Sequence, residues 1–148
     1  MSFDCMVFSA SDAPQDNKGF KAWIEAELKT SSRTSSDVLI DPVLGDFYAE
    51  IRHMYTPFNG PDDVPLPDNA PQVRILRTCE YNFRARSIYM AFRWPAQDMA
   101  RGACSTLSKE LGLGFYNLSN RYPQARFPDG TFVYPMGNWK DEELKGKS

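Results

Sequence analysis

Val73-Arg74-Ile75-Leu76-Arg77-Thr78-Cys79-Glu80-Tyr81-Asn82-Phe83-Arg84-Ala85-Arg86-Ser87-Ile88-Tyr89-Met90-Ala91-Phe92-Arg93-Trp94 is the stretch that decides the fold. Val73, Ile75, Cys79, Tyr81 and Phe83 alternate with Arg74, Thr78, Glu80, Asn82 and Arg84, the period-two pattern of a half-buried strand. The alternation breaks at Leu76-Arg77, where one extra residue would make a bulge. Ala85-Arg86 reads as a tight turn. Ile88, Met90, Phe92 and Trp94 then alternate with Ser87, Tyr89, Ala91 and Arg93, so the two runs form an antiparallel hairpin. The larger apolar set of the second run is expected to face helices. That leaves Tyr89 and Arg93 on an open face beside Arg74, Glu80 and Arg84.

Working toward the N-terminus, Pro57 to Pro71 carries five prolines in fifteen residues and excludes helix or central strand. Before it, Asp41-Pro42 is a helix start, a capping carboxylate followed by proline at the first helical position. Val43, Leu44, Phe47, Ile51, Met54 and Tyr55 make that helix's apolar stripe, which stops at Thr56-Pro57. Thr30 to Ser36 is a Ser/Thr-rich connection. Asp16 or Asn17 caps an earlier helix whose Phe20, Trp23, Ile24 and Leu28 recur at helical spacing to about Lys29. Phe3 to Phe8 is a first strand.

Toward the C-terminus, Pro95 opens a helix with the stripe Met99, Ala103, Cys104, Leu107 and Leu111. Gly112 ends it as a left-handed cap. Gly114 to Leu118 is a strand, with both glycines explained by capping. Pro128-Asp129-Gly130 turns a small hairpin between Phe127 and Phe132. The order β-α-α-β-β-α-β predicts an α+β fold: a four-stranded antiparallel sheet, ferredoxin-like, with helices on one face. Trp23, Phe47, Phe92 and Leu107 are expected in one core. A chain of 148 residues fits a single domain, taken as 1–140, followed by a charged tail over 141–148 that frays.

Chemistry is sparse. His53 is the only histidine and builds no H-x-x-x-H metal pair. No G-x-S-x-G elbow, phosphate-binding P-loop or G-x-G-x-x-G turn occurs. Asp62-Asp63 and Glu25/Glu27 read as solvated carboxylates, so neither an enzyme activity, a cofactor nor a metal is expected. Cys5, Cys79 and Cys104 each lie in an apolar stretch without a C-x-x-C pair, which predicts buried, reduced thiols and a cytoplasmic protein. No secretory signal and no apolar run of about 18–20 residues is visible, so no membrane partner is expected.

The 42% hydrophobic and 14% aromatic content supplies an ample core. Residues 1–71 hold 12 acids against 5 bases, a net of −7, whereas residues 72–148 hold 7 against 12, a net of +5. Such asymmetry marks a polar partner surface or two differently solvated faces. Sheet aromatics following Arg84-Ala85-Arg86-Ser87-Ile88-Tyr89-Met90-Ala91-Phe92 echo RNA-recognition domains, where such rings stack on bases. The signature's glycine and paired exposed aromatics are missing, and a pI near 5.4 opposes phosphate binding. Nucleic acid is therefore the alternative partner and not the expected one.

Several blocks resemble a widespread group of small bacterial proteins: Phe3-Asp4-Cys5-Met6-Val7-Phe8, a following helix with Phe20 and Trp23, and Tyr55-Thr56-Pro57-Phe58-Asn59-Gly60-Pro61. The family commonly carries Pro-Pro-x-Asn-Gly-Pro at the last of these. Ser87 to Trp94 and Gly112-Leu113-Gly114-Phe115-Tyr116-Asn117-Leu118 complete the resemblance, which covers most of residues 3–118; the tail after Asn120 departs from it. Its members look like proteins encoded beside polymorphic toxins, including those delivered by type VI secretion. The resemblance implies an immunity protein that binds and blocks a cognate toxin domain. An inhibitor needs no catalytic residues, only a rigid scaffold with a complementary surface. The acidic N-terminal half and the proline-rich loop supply the expected partner-binding set: Asp62, Asp63, Asp68, Asn59 and Tyr55, with Asp46 and Glu50 on the preceding helix.

Overall fold

The computed structural model describes residues 1–138. The expected tail over 141–148, and the last two residues of the expected 1–140 domain, lie outside the described residues. The chain opens with β1 (Ser2–Phe8). The Asp16 carboxylate then accepts the Gly19 backbone N–H at 2.6 Å and starts α1 (Asn17–Lys29). Asp41 does the same for α2 (Pro42–Met54), accepting from Val43 N–H at 2.9 Å. Each cap fills one donor that the first helical turn leaves free. After β2 (Thr56–Pro57) and the proline-rich loop come α3 (Gln72–Leu76), β3 (Thr78–Arg84) and β4 (Ser87–Arg93). Then follow α4 (Gln97–Glu110), β5 (Gly114–Asn117), β6 (Gln124–Arg126) and β7 (Phe132–Val133).

The described strands form one mixed seven-stranded sheet in the order β2-β3-β4-β1-β5-β6-β7. This corrects the expected four-stranded antiparallel, ferredoxin-like sheet. The four expected strands are its contiguous centre, and three more extend it. β2 pairs parallel to β3, with Thr56 opposite Thr78, and β6 and β7 add an antiparallel ribbon at the far side. Strands of two or three residues are too brief for periodicity to reveal, although the β6–β7 pair is the small hairpin expected about Pro128-Asp129-Gly130.

A second correction concerns the start of β3. Val73 to Leu76 is not strand but the short helix α3, so no bulge is needed at Leu76-Arg77. Pro71 fixes the entry to this turn, and the Arg74 and Ile75 N–H groups donate back to its carbonyl at 2.9 and 3.2 Å. Arg74 therefore lies off the sheet.

Helices cover both faces, which is the third correction. Phe3, Cys5 and Val7 of β1 pack under α2 and α4, together with Leu44, Phe47, Ile51, Phe92, Cys104 and Leu107. Met6 and Phe8 point the other way, as strand alternation requires, into a separate core with Phe20, Ile24, Tyr116 and Phe127. Trp23 packs against this second core, its ring 5.5 Å from Phe8, and not with Phe47, Phe92 and Leu107. The expected single core is two, divided by the sheet.

Helix phases shift where residues are small. In α4 the buried positions are Ala100, Cys104, Leu107 and Ser108, and the expected stripe member Met99 is 67% exposed. Met54, likewise expected in the stripe of α2, is exposed. Gly112 adopts φ +72° as the cap of α4. Gly114 has a different reason: a Cβ there would collide with the ring of Phe8, its register partner on β1.

Candidate interaction surface

The proline-rich loop is tied down at both ends of its first half. Phe58 N–H donates to Cys79 carbonyl at 3.2 Å, continuing the β2–β3 ladder. The Asn59 side chain then takes the place of a strand residue: its amide donates to the Tyr81 carbonyl at 2.8 Å, and its oxygen accepts the Tyr81 N–H at 2.9 Å. Gly60, at φ +73°, turns the chain against Thr34, where a Cβ would clash with backbone. Two residues on, Asp62 accepts the Tyr48 hydroxyl at 2.9 Å and lies 3.6 Å from Arg52. Loop and α2 are thus fastened through one carboxylate. Burial, and then that bond to Asp62, pushes the Tyr48 phenol well above its ordinary range.

The expected partner-binding residues therefore divide. Tyr55 is buried, its ring edge-on to Phe92 at 4.9 Å, and its carbonyl accepts the Tyr81 hydroxyl at 2.6 Å. Tyr55 and Asn59 hold the scaffold, and Asp62 pins the loop. Asp46, Glu50, Asp63 and Asp68 are exposed, and among the described residues none has an ion-pair partner within 4.0 Å. Asp46 and Glu50 stand one helical turn apart on α2, with His53 a further turn along the same face.

Beside Glu50 runs a groove that sequence reasoning missed. Between α2 and α4 it is lined by Glu50, Met54, Ala103, Leu107 and Glu110, and it encloses about 400 Å³. A separate, smaller apolar hollow between α3 and the start of α4 is lined by Tyr55, Val73, Leu76, Pro95 and Met99. Val73 and Met99 are 63% and 67% exposed. Large apolar side chains with a carboxylate rim are the composition of a protein-binding surface. The signal available in the sequence was Met99, one residue out of phase with Ala100 and Cys104.

On the other side of α4 lies a cleft of about 380 Å³ toward β5–β7. Its floor includes Arg126, only 8% exposed, whose Nη2 donates to the Ser105 carbonyl at 3.1 Å and to Ser108 Oγ at 2.9 Å. Burial lowers the guanidinium's pKa from its ordinary value. Nothing in the local sequence Gln124-Ala125-Arg126-Phe127 marks this arginine as buried.

On the face expected to be open, Tyr89 packs at the margin of the second core and its hydroxyl donates to Asp4. Arg84, expected on this open face, instead reaches the C-terminal carbonyls of α1 at Leu28 and Thr30, 3.5 and 3.1 Å away. That placement complements the helix dipole. Arg93 stacks over Phe58 at 5.2 Å and donates to Thr78 Oγ1 at 3.2 Å.

No group of three or more His, Cys, Asp or Glu side chains capable of holding a metal occurs among the described residues. Cys5, Cys79 and Cys104 are free and buried, as expected, and desolvation raises the Cys5 and Cys79 thiols well above their usual range. No helix among the described residues is long and apolar enough to cross a membrane. Comparison with protein-family models, with curated proteins and with solved structures finds no match.

Proposed function

We propose that this chain is an immunity protein that binds a cognate toxin domain in the bacterial cytoplasm and neutralises it by covering the active site. The observation that carries the reading is a set of exposed carboxylates, Asp46 and Glu50 on α2 and Asp63 on its docked loop, with no ion-pair partner within 4.0 Å among the described residues. Glu50 also lines the α2–α4 groove, beside the exposed side chain of Met54. Unpaired carboxylates cost little in water and are available to a basic surface, such as the phosphate-binding site of a toxin acting on nucleotides or nucleic acid. Apolar Met54 and Met99 would supply the desolvated centre, and the acids the rim and the steering. Buried free thiols suit the cytoplasm.

The test is co-expression with the toxin domain encoded beside the gene. The triple variant Asp46→Asn, Glu50→Gln, Asp63→Asn keeps the Asp62 anchor, so its thermal unfolding should match the wild type. It should slow association, flatten the dependence of the association rate on salt, and fail to protect cells at limiting expression. Full protection by the triple variant removes this surface from the interface. Absence of any neighbouring or binding toxin domain removes the reading itself, and salt-sensitive capture of single-stranded RNA would favour the nucleic-acid alternative.

A further inference from the structure

The cleft between α4 and the β5–β7 strands contains two buried polar groups that the fold leaves without partners. Arg126 offers five N–H donors in a fixed plane. Its Nη2 is used by Ser105 and Ser108, whereas Nε and Nη1 have no acceptor. The Asn117 side-chain oxygen, on the neighbouring strand, has no donor. Asn117 and Arg126 are 6% and 8% exposed, and both line the cleft. No carboxylate lies within 4.0 Å of Arg126 among the described residues. The one acid on the cleft among the described residues, Asp98, is held by Arg101 at 2.7 Å.

A buried cation without a counter-charge is strongly unfavourable, and folded chains retain such a group where something else completes it. The missing complement is defined by what is orphaned: anionic acceptor oxygens for Arg126 and a hydrogen-bond donor for Asn117. Phe115 and Phe132 flank these groups and add apolar walls. A cleft of about 380 Å³ has room for a residue-sized ligand.

We propose that this cleft binds a carboxylate that carries an adjacent N–H group, the chemistry of a polypeptide's C-terminal residue. The carboxylate pairs with Arg126 and the N–H donates to Asn117 Oδ1. Nε and Nη1 are shut off from bulk water, so the ligand enters by parting the wall at Phe132, the exposed hydrophobe on the two-residue β7. This site is independent of the acidic surface, although the two flank the same helix.

The probe is N-acetylglycylleucine, compared with its C-terminal amide, added to the full chain. Binding is read by titration calorimetry and by the rise in melting temperature that any ligand of the folded state produces. The acid should bind saturably and the amide at least tenfold more weakly. Arg126→Met, which replaces the buried charge with an apolar chain of similar length, should fold and lose the response. Asn117→Ala should weaken binding severalfold, and Arg126→Lys, which keeps the charge but not the planar fork, at least fivefold.

The combined variant Asp141→Asn, Glu142→Gln, Glu143→Gln separates two sources of the carboxylate. Tighter probe binding in that variant means that this chain's own acids compete for the cleft; unchanged binding places the ligand outside the chain. Equal response to acid and amide in both backgrounds, or undiminished acid binding by Arg126→Met, overturns the proposal. Should Arg126→Met not fold, undiminished binding by both Asn117→Ala and Arg126→Lys does the same.

Discussion

The two faces of the sheet solve burial in opposite ways. Under α2 and α4 the face is closed by apolar side chains from four strands, β1, β3, β4 and β5, packed with Phe47, Ile51 and Cys104. The other face has only α1 among the α-helices packed on it. At about 1.5 Å per residue, thirteen residues of α1 span about 20 Å, whereas seven strands about 4.8 Å apart spread over about 29 Å. One helix cannot cover that width. Where it falls short, polar side chains satisfy one another: Tyr89 with Asp4 and Arg93 with Thr78. One face is held by packing and the other by packing on one half and hydrogen bonds on the rest.

The sharpest way to break this contrast is to hollow out the closed face. Phe92→Ala should cost about 3–5 kcal/mol in urea unfolding, since a fully buried ring leaves a cavity that α2 and α4 cannot fill. Trp23→Ala, at the half-buried margin of the other core, should cost clearly less. Equal losses would mean that the two faces do not differ as described.

Next in size is overpacking on the α1 side. Gly114→Ala places a methyl against the Phe8 ring, which is itself wedged among Phe20, Trp23 and Phe127 at 5.3–5.5 Å. A loss of about 1–3 kcal/mol is expected, and Gly114→Ala combined with Phe8→Leu should recover part of it. A neutral Gly114→Ala would show that the second core is loosely packed.

The smallest effect is on pH. Burial, and next its bond to Asp4, raises the Tyr89 phenol above its ordinary pKa. A raised folded pKa means that the contribution is complete below the unfolded value of about 10 and is lost as pH rises above it. Buried Cys5 and Cys79, also raised, begin the same loss above about pH 8.5. Stability should thus be level through neutral pH and fall in alkali, and Tyr89→Phe should make the fall between about pH 10 and 12 shallower. An unchanged slope would remove Tyr89 from the balance.

Long periodic segments were legible in the sequence; short or phase-shifted ones were not, except where a turn such as Pro128-Asp129-Gly130 marked them. Asp16 and Asp41 announce their helices because a cap is local chemistry, and β1, β4 and β5 follow from alternation. Val73 and Ile75 misled because two apolar residues at spacing two also fit a single helical turn, and Pro71 decides for the turn. Trp23 and Phe47 look alike in sequence, and only the side of β1 that each helix crosses over assigns them to different cores. For the candidate site, the exposed acids were visible as composition. That Asn59 and Tyr55 serve the scaffold was not, since it depends on partners more than twenty residues away. Arg126 shows the same limit: burial of a charge is a property of the neighbours.

Asn59 has one more consequence. A sheet ends in a row of free backbone groups that invites another chain to add a strand. Here the β2 margin holds only two residues, one of them Pro57, which has no N–H. Thr56 and Phe58 both donate inward, to Arg77 and Cys79, so the proline faces outward, where a donor would be needed for recruitment. Beyond it the amide of Asn59 occupies both backbone groups of Tyr81 that a visiting strand would seek. The most aromatic hairpin of the chain is thereby sealed against self-association, and concentrated protein should resist growth of strand-added aggregates from this side until Asn59 is replaced.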